Sequence, residues 1–200
     1  MFSLDKEMWG LLMGIFMVVV SYLIGSLSMA KILAKKKNIN LSTVGTKNPG
    51  AYNVYNQIGP KWGISSAAFD ILKGFIPVAF SKLVLNFDFS YLLLITLAAV
   101  MGHMWPLYYK LDGGRGLATT MGALIVWDFY LSLFVFIIVG LIAYWSRYFS
   151  ELKPRISLVL LPLFSVTAYY IRFDKGLVLL GIYLALIVYL KAIQFRYRSS

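Results

Sequence analysis

The chain has 200 residues, 60% of them hydrophobic and only 14% charged, with a mean hydropathy of +0.76. A soluble domain of this length does not have such a composition. The formal net charge of +11 sits in loops beside apolar runs, where membrane orientation and anionic headgroups account for it and nucleic acid does not. The lack of cysteine excludes disulfides and thiolate metal sites, and a single histidine, His103, excludes a histidine-rich one. Neither a metal nor a cofactor is expected.

In chain order, the apolar runs predict one all-α polytopic membrane domain over 1–200, with spans near 8–29, 62–84, 91–106, 117–127, 131–146, 156–171 and 176–190. The first run is too long for a signal-peptide core and reads as a retained span. Several spans are short, about 11 to 16 residues against roughly 20 for a full crossing, so they must be extended by aromatics, thin the bilayer or start below its surface. Residues 117–144 are the ambiguous stretch, since one long helix interrupted at Trp127–Tyr130 would also fit. Charge decides between the two. With seven spans, 14 Lys and Arg fall on one side and four (Lys6, Lys82, Arg172 and Lys175) on the other, Lys73 lying within a span. Merging the two runs gives ten against eight. The seven-span arrangement obeys the positive-inside rule, with the N-terminus outside and the C-terminus cytoplasmic.

The loop after the first span carries Val44 to Asn53, which packs turn formers, amides and a lysine together. The spacing of Gly45 and Gly50 opens a P-loop, but Ala51 and Tyr52 stand where Lys-Ser/Thr is needed, so a nucleoside-triphosphatase is excluded. Thr46, Lys47, Asn48 and Asn53 remain possible phosphate donors, or the loop is a solvated turn. Near the end of the first span, Gly25 and Ser26 face the same side of the membrane.

Inside the second span, Asp70 and Lys73 share a helical face. Either they form a structural pair, or Lys73 floors a phosphate pocket. The third span ends at Gly102, His103 and Pro106. His103 is either a hydrogen-bonded helix end or a base or donor. Next come Asp112, Gly113, Gly114, Arg115 and Gly116. Glycines around an arginine allow close backbone approach and a bidentate grip on phosphate, with the N-terminus of the fourth span behind them. The alternative is a flexible loop whose arginine only sets topology.

Together these elements resemble the bacterial acyl-phosphate:glycerol-3-phosphate acyltransferases of the PlsY type. The family pattern has a Gly-Ser in the first helix, then Gly-Ser-Gly-Asn-x-Gly-Ala-Thr-Asn, Asp-x-x-Lys-Gly, Gly-His-x-x-Pro and Phe-x-Gly-Gly-Lys-Gly-Val-Ala-Thr. This chain matches in order and spacing over about residues 20–120, from Gly25-Ser26 through Gly45–Asn53, Asp70–Gly74 and Gly102–Pro106 to Leu111–Thr119. It departs at Asn40-Leu41-Ser42, where the family has Asp-x-Arg, at Thr46-Lys47 for Ser-Gly, and at Arg115 for lysine. The family's C-terminal His-x-x-Asn-Ile-x-Arg-Leu is also missing.

The resemblance implies seven helices in a bacterial inner membrane. It implies transfer of an acyl group from acyl phosphate to glycerol 3-phosphate, giving lysophosphatidic acid for phospholipid synthesis. Lipids would be the further partners. Ser26, Thr46, Lys47, Asn48, Asn53, Lys73, Gly113, Gly114 and Arg115 would bind phosphate. No Cys or Ser-His-Asp arrangement calls for a covalent acyl-enzyme, so direct attack is expected, with His103 or a substrate phosphate taking the proton. Other readings are a divergent member that uses another phosphorylated acceptor or binds a phosphorylated lipid or partner without catalysis, and an anion transporter. The apolar outer ends of the spans weigh against the transporter.

Overall fold

The computed structural model describes residues 2–145 and 156–199, and every element among them is helical. The charged positions Arg147, Glu151, Lys153 and Arg155, and the expected span end at 146, lie outside the described residues. Two compact units are present, Met1–Ala123 and Leu124–Ser200.

In the first unit, α1 (Phe2–Ser26) packs chiefly on α5 (Phe89–Met104), and α4 (Pro60–Leu83) packs on both. Small residues on these faces let the helices close tightly. Ile95, Ala99, Val100 and Val78 are fully buried in this core. The opposite face of α1 exposes Trp9, Leu11, Phe16 and Val19 by half or more. Water would not tolerate such a surface, whereas acyl chains do. Three helical stretches, Glu7–Lys36, Pro60–Leu83 and Phe89–Tyr109, are long and apolar enough to cross a bilayer. The chain is an integral membrane protein.

The first span was expected to run unbroken to residue 29. Instead α1 ends at Ser26 and α2 (Met29–Lys36) starts after a bend, with the Ser28 hydroxyl accepting from Lys31 N at 3.3 Å as its N-cap. A short α3 (Ala51–Gln57) follows the first loop. These two helices share a small core of Ala30, Leu33, Ala34, Leu41 and Val54. Burial of Leu41 and Val54 contributes about 1.5–3 kcal/mol each.

After α5 a single 3₁₀ turn, Leu107–Tyr109, leads through the glycine-rich loop into α6 (Leu117–Trp127). The helix breaks at Asp128 and α7 (Phe129–Trp145) begins, with Asp128 Oδ1 accepting from Leu131 N at 2.9 Å. One carboxylate thus ends the apolar run that composition alone left ambiguous.

In the second unit α8 (Ile156–Thr167) packs on α7 and α9 (Lys175–Ser199), around Leu161, Phe164, Leu180 and Leu184. A π-helical turn, Ala168–Arg172, closes α8. Its Arg172 grips Asp128 through two contacts, at 2.7 and 3.1 Å. Asp174 caps α9 by accepting from Gly176 N and Leu177 N. The helix runs through the expected tail at Lys191–Arg198 rather than stopping at 190.

Candidate active site

The candidate site lies wholly in the first unit, where the C-terminal ends of α1 and α5 meet the middle of α4. Gly25 and Gly102 bring the α1 and α5 backbones into contact. A methyl on Gly25 would strike the Ala99 carbonyl, and one on Gly102 the Tyr22 carbonyl. Tyr22 Oη donates to Trp105 O at 2.7 Å across this crossing. Ser26 Oγ donates to Tyr22 O at 2.8 Å and accepts from Leu107 N at 3.3 Å. The Ser26 hydroxyl therefore fastens the turn after α5 to the end of α1.

Beside it sits a buried group of three side chains. Asp70, Lys73 and His103 are 4%, 2% and 7% exposed at the side chain. Lys73 Nζ lies 2.9 Å from Asp70 Oδ1 and donates to Leu27 O at 2.6 Å. That carbonyl is available because the helix has just broken. His103 Nδ1 lies 3.4 Å from the same Asp70 oxygen. With a neutral imidazole the three carry no net charge, which makes their burial affordable.

The glycine-rich loop closes over the imidazole. Gly113 packs against the His103 and Met104 carbonyls, and Gly114 lies against His103 Nε2 so closely that a methyl there would collide with it. Lys110 and Leu111 both take left-handed backbone angles (φ 52° and 59°), and Gly116 has φ 83°. Two consecutive non-glycine residues in that region are costly, about 1–3 kcal/mol each, and require firm support. Asp112 supplies it. Its carboxylate pairs with Lys31 of α2 and accepts from Ser42 Oγ at 2.6 Å, while Lys31 Nζ also donates to Ser42 Oγ at 3.1 Å. Arg115 is half-buried in this loop, and its desolvation there pulls the guanidinium below its ordinary pKa. It stays charged at neutral pH.

The first loop is built around Asn53. Its amide donates to Leu41 O (2.9 Å) and Val44 O (3.0 Å), and its Oδ1 accepts from Thr46 N (3.1 Å). Thr46 and Lys47 are exposed, and Lys47 takes a left-handed φ of 54°. Asn48 is half-buried with its Oδ1 unpaired. Ser66, on the same face of α4 as Asp70 and Lys73, and Thr119, which abuts Gly74, likewise bury hydroxyls without a hydrogen-bond partner. Such atoms are costly unless a polar group meets them.

Of the residues expected at the site, Ser26, Lys73, His103, Gly113 and Gly114 converge. The contact between Ser42 and Asp112 joins the loop of Thr46, Lys47, Asn48 and Asn53 to the loop of Arg115. Three participants were missed by sequence reasoning: Asp70 as a partner of His103, the Leu27 carbonyl, and the set of Lys31, Ser42 and Asp112. Asp112 is the lone acid of its basic loop, which was the available signal.

These features define an integral membrane enzyme with a charged, glycine-lined site at one end of its helices. The family model described as glycerol-3-phosphate acyltransferase matches residues 15–199. The chain is 36% identical over 182 residues to the glycerol-3-phosphate acyltransferase of Endomicrobium trichonymphae, covering 89% of this chain and 87% of that one. It is 37% identical over 136 residues to that of Aquifex aeolicus, covering 68% and 71%. Two crystal structures of PlsY, an integral membrane glycerol 3-phosphate acyltransferase, are similar. The glycerol 3-phosphate form has a TM-score of 0.81 at 28% identity, and the lysophosphatidic acid form 0.79 at 27%, each covering 92% of this chain and 90% of the other. This chain belongs to the glycerol-3-phosphate acyltransferase family.

Proposed function

We propose that this protein transfers a fatty acyl group from an acyl phosphate to the 1-hydroxyl of sn-glycerol 3-phosphate, giving lysophosphatidic acid and inorganic phosphate. The hydroxyl oxygen bonds to the acyl carbon, the bond from that carbon to the phosphate oxygen breaks, and phosphate departs with the electron pair. Acyl phosphate is already activated, so the protein must chiefly align two anions and offset their repulsion.

The observation that carries this reading is the buried imidazole under the Gly113–Gly114 backbone, flanked by Lys73 and the end of α1. Lys47, Arg115, the Thr46 hydroxyl, and the N–H groups of the glycine loop and of the start of α6 meet the phosphates. Lys73 has a third N–H beyond those given to Asp70 and Leu27 O. Asn48 Oδ1, an acceptor, suits a glycerol hydroxyl better than a phosphate. Ser26 and Asn53 spend their hydrogen bonds on the backbone, so they shape the walls. The proton of the attacking hydroxyl goes to His103 or to a substrate phosphate.

In the membrane, α1, α4, α5, α6, α7, α8 with its π turn, and α9 form seven spans of a single domain in the bacterial plasma membrane. The N-terminus is outside and the site faces the cytoplasm, in keeping with the lysine and arginine distribution.

The test is an acceptor screen with purified protein, acyl phosphate and mass-spectrometric detection. Lysophosphatidic acid and inorganic phosphate should appear in equal amounts with glycerol 3-phosphate. Folded protein that acylates no acceptor would refute the reading. Arg115→Ala should raise KM for an anionic substrate about tenfold, the worth of a lost charge-assisted hydrogen bond. An unchanged KM removes its role.

A further inference from the structure

We propose that Lys31 is a positioning residue of the anion site: it offsets the charge of Asp112, and so lets a carboxylate brace the glycine loop without repelling the phosphate that the loop receives. The role rests on the acyl-transfer reading above, since it needs an anionic substrate. Asp112 is the only acid between Asp88 and Asp128, and it stands next to Gly113 and three residues before Arg115. Three residues of chain span at most about 10 Å. Without a cation beside it, a carboxylate so close would repel a phosphate and compete with it for Arg115.

Lys31 Nζ and Ser42 Oγ both donate to Asp112 Oδ2, the hydroxyl at 2.6 Å, and Lys31 Nζ also donates to Ser42 Oγ at 3.1 Å. Each partner is placed by its own element. Asn40 Oδ1 accepts from Ser42 N at 3.1 Å, and the neighbouring Leu41 is buried. Lys31 lies in the first turn of α2, where its own N–H donates to the Ser28 cap. The Lys31 and Asp112 side chains are 17% and 23% exposed, so solvent screens them only in part. Ammonium and carboxylate cancel, and the three side chains together present no net charge to an arriving anion. The same bend also pins the loop at both ends. Ser26 Oγ accepts from Leu107 N at 3.3 Å where the loop begins, and Lys31 holds Asp112 just before the glycines that cover His103. Between them, the Leu27 carbonyl takes Lys73. The segment Ser26–Lys31 therefore carries both the glycine loop and the Lys73 group. Loss of Lys31 has two separable effects: slack in the loop, and negative charge at the phosphate site.

The test is a cycle of Lys31→Met, Asp112→Asn and the double variant in the full chain. Calorimetry gives the affinity for sn-glycerol 3-phosphate, and phosphate release gives KM and kcat. Lys31→Met should weaken binding roughly tenfold, the worth of a unit charge at about 10 Å in a partly screened site. Asp112→Asn loses the brace but adds no repulsion, and should weaken binding only several-fold. The double variant should bind like Asp112→Asn, and so more tightly than Lys31→Met despite one more substitution. Lys31→Arg keeps the charge and should stay near wild type, and KM should vary more than kcat across the series. A purely structural role makes the double variant as weak as Lys31→Met or weaker, and that result overturns the proposal, as does wild-type affinity in Lys31→Met. Should Lys31→Met not fold, Lys31→Arg and the exchanged pair Lys31→Glu/Asp112→Lys decide the matter, since both keep the charges offset; tenfold weaker binding in both overturns it. Affinity is read without the acyl donor. A wild type that binds glycerol 3-phosphate but acylates nothing therefore refutes the acyl-transfer reading, while the order of affinities still judges Lys31. A wild type that does not bind it overturns both.

Discussion

At the scale of single residues, the site is controlled by what glycine leaves out. Gly114 touches His103 Nε2, and Gly113 touches two carbonyls. Gly114→Ala places a methyl against the ring. The ring must turn or the loop must lift, a strain of about 1–3 kcal/mol. Activity should fall by more than tenfold with the protein still folded, checked by kcat together with a thermal melt. A variant of wild-type kcat would show that the loop has slack. Motif spacing made His103, Lys73 and the glycines legible in the chain. It did not reveal that Asp70 serves His103 as well as Lys73, because helical spacing reports neighbours within one helix and says nothing about a partner on another.

Elements hold these residues in place. The glycine loop is tied to α2 by Lys31 and to the first loop by Ser42, both through Asp112, with Lys31 and Asp112 81 residues apart in sequence. Asp112→Asn keeps the shape and weakens the charge pair. The left-handed residues Lys110 and Leu111 then lose support, and KM for the anionic acceptor should rise several-fold while kcat changes less. Equal kinetics in steady-state assays would mean the clamp is ornamental.

The other end of α6 gives a pH test. Burial works to raise the pKa of Asp128, but the Leu131 N–H, Arg172 and the Tyr130 N–H outweigh it and hold the carboxyl below its ordinary value. A depressed folded-state pKa contributes stability fully present above the unfolded value of about 3.9. That contribution is lost as pH falls through the folded value. Melting temperature should therefore drop more steeply on acidification for the wild type than for Asp128→Asn. Parallel acid profiles would remove the pair from the stability account.

The short elements were the ones the sequence hid. Helices α2 and α3, of eight and seven residues, are too brief for periodicity to register. They exist because Ser28 caps one and Asn53 organises the loop before the other. Helices α4, α5 and α7 were legible to within two residues at each end and α6 fell on 117–127 as expected, whereas α1 starts six residues before the expected span and α9 runs nine beyond it.

For the whole molecule, absence of cysteine makes orientation directly measurable. Single substitutions Glu7→Cys and Asn86→Cys should react with an impermeant thiol reagent in intact cells. Lys37→Cys and Lys61→Cys should react only after permeabilisation. Labelling of all four from one side would contradict the seven-span arrangement. The lipid-facing helices were legible from composition, since no other solvent suits so much exposed apolar surface. How the chain closes around Asp70 was not, because that depends on backbone contacts at Gly25, Gly74 and Gly102, and glycine carries no pattern.

Helix α6 has a consequence for where chemistry happens relative to the lipids. Its 11 residues rise about 16 Å, against a hydrocarbon core of about 30 Å. In the orientation proposed above, with Asp128 at the outer headgroups, the start of α6 and the glycine loop before it would lie well below the cytoplasmic headgroups. The reacting carbonyl of the proposed membrane-dissolved donor would rest near that depth. On the proposed reaction, such a donor would enter sideways with its tail still solvated by neighbouring lipids, and the small water-soluble acceptor would make the descent.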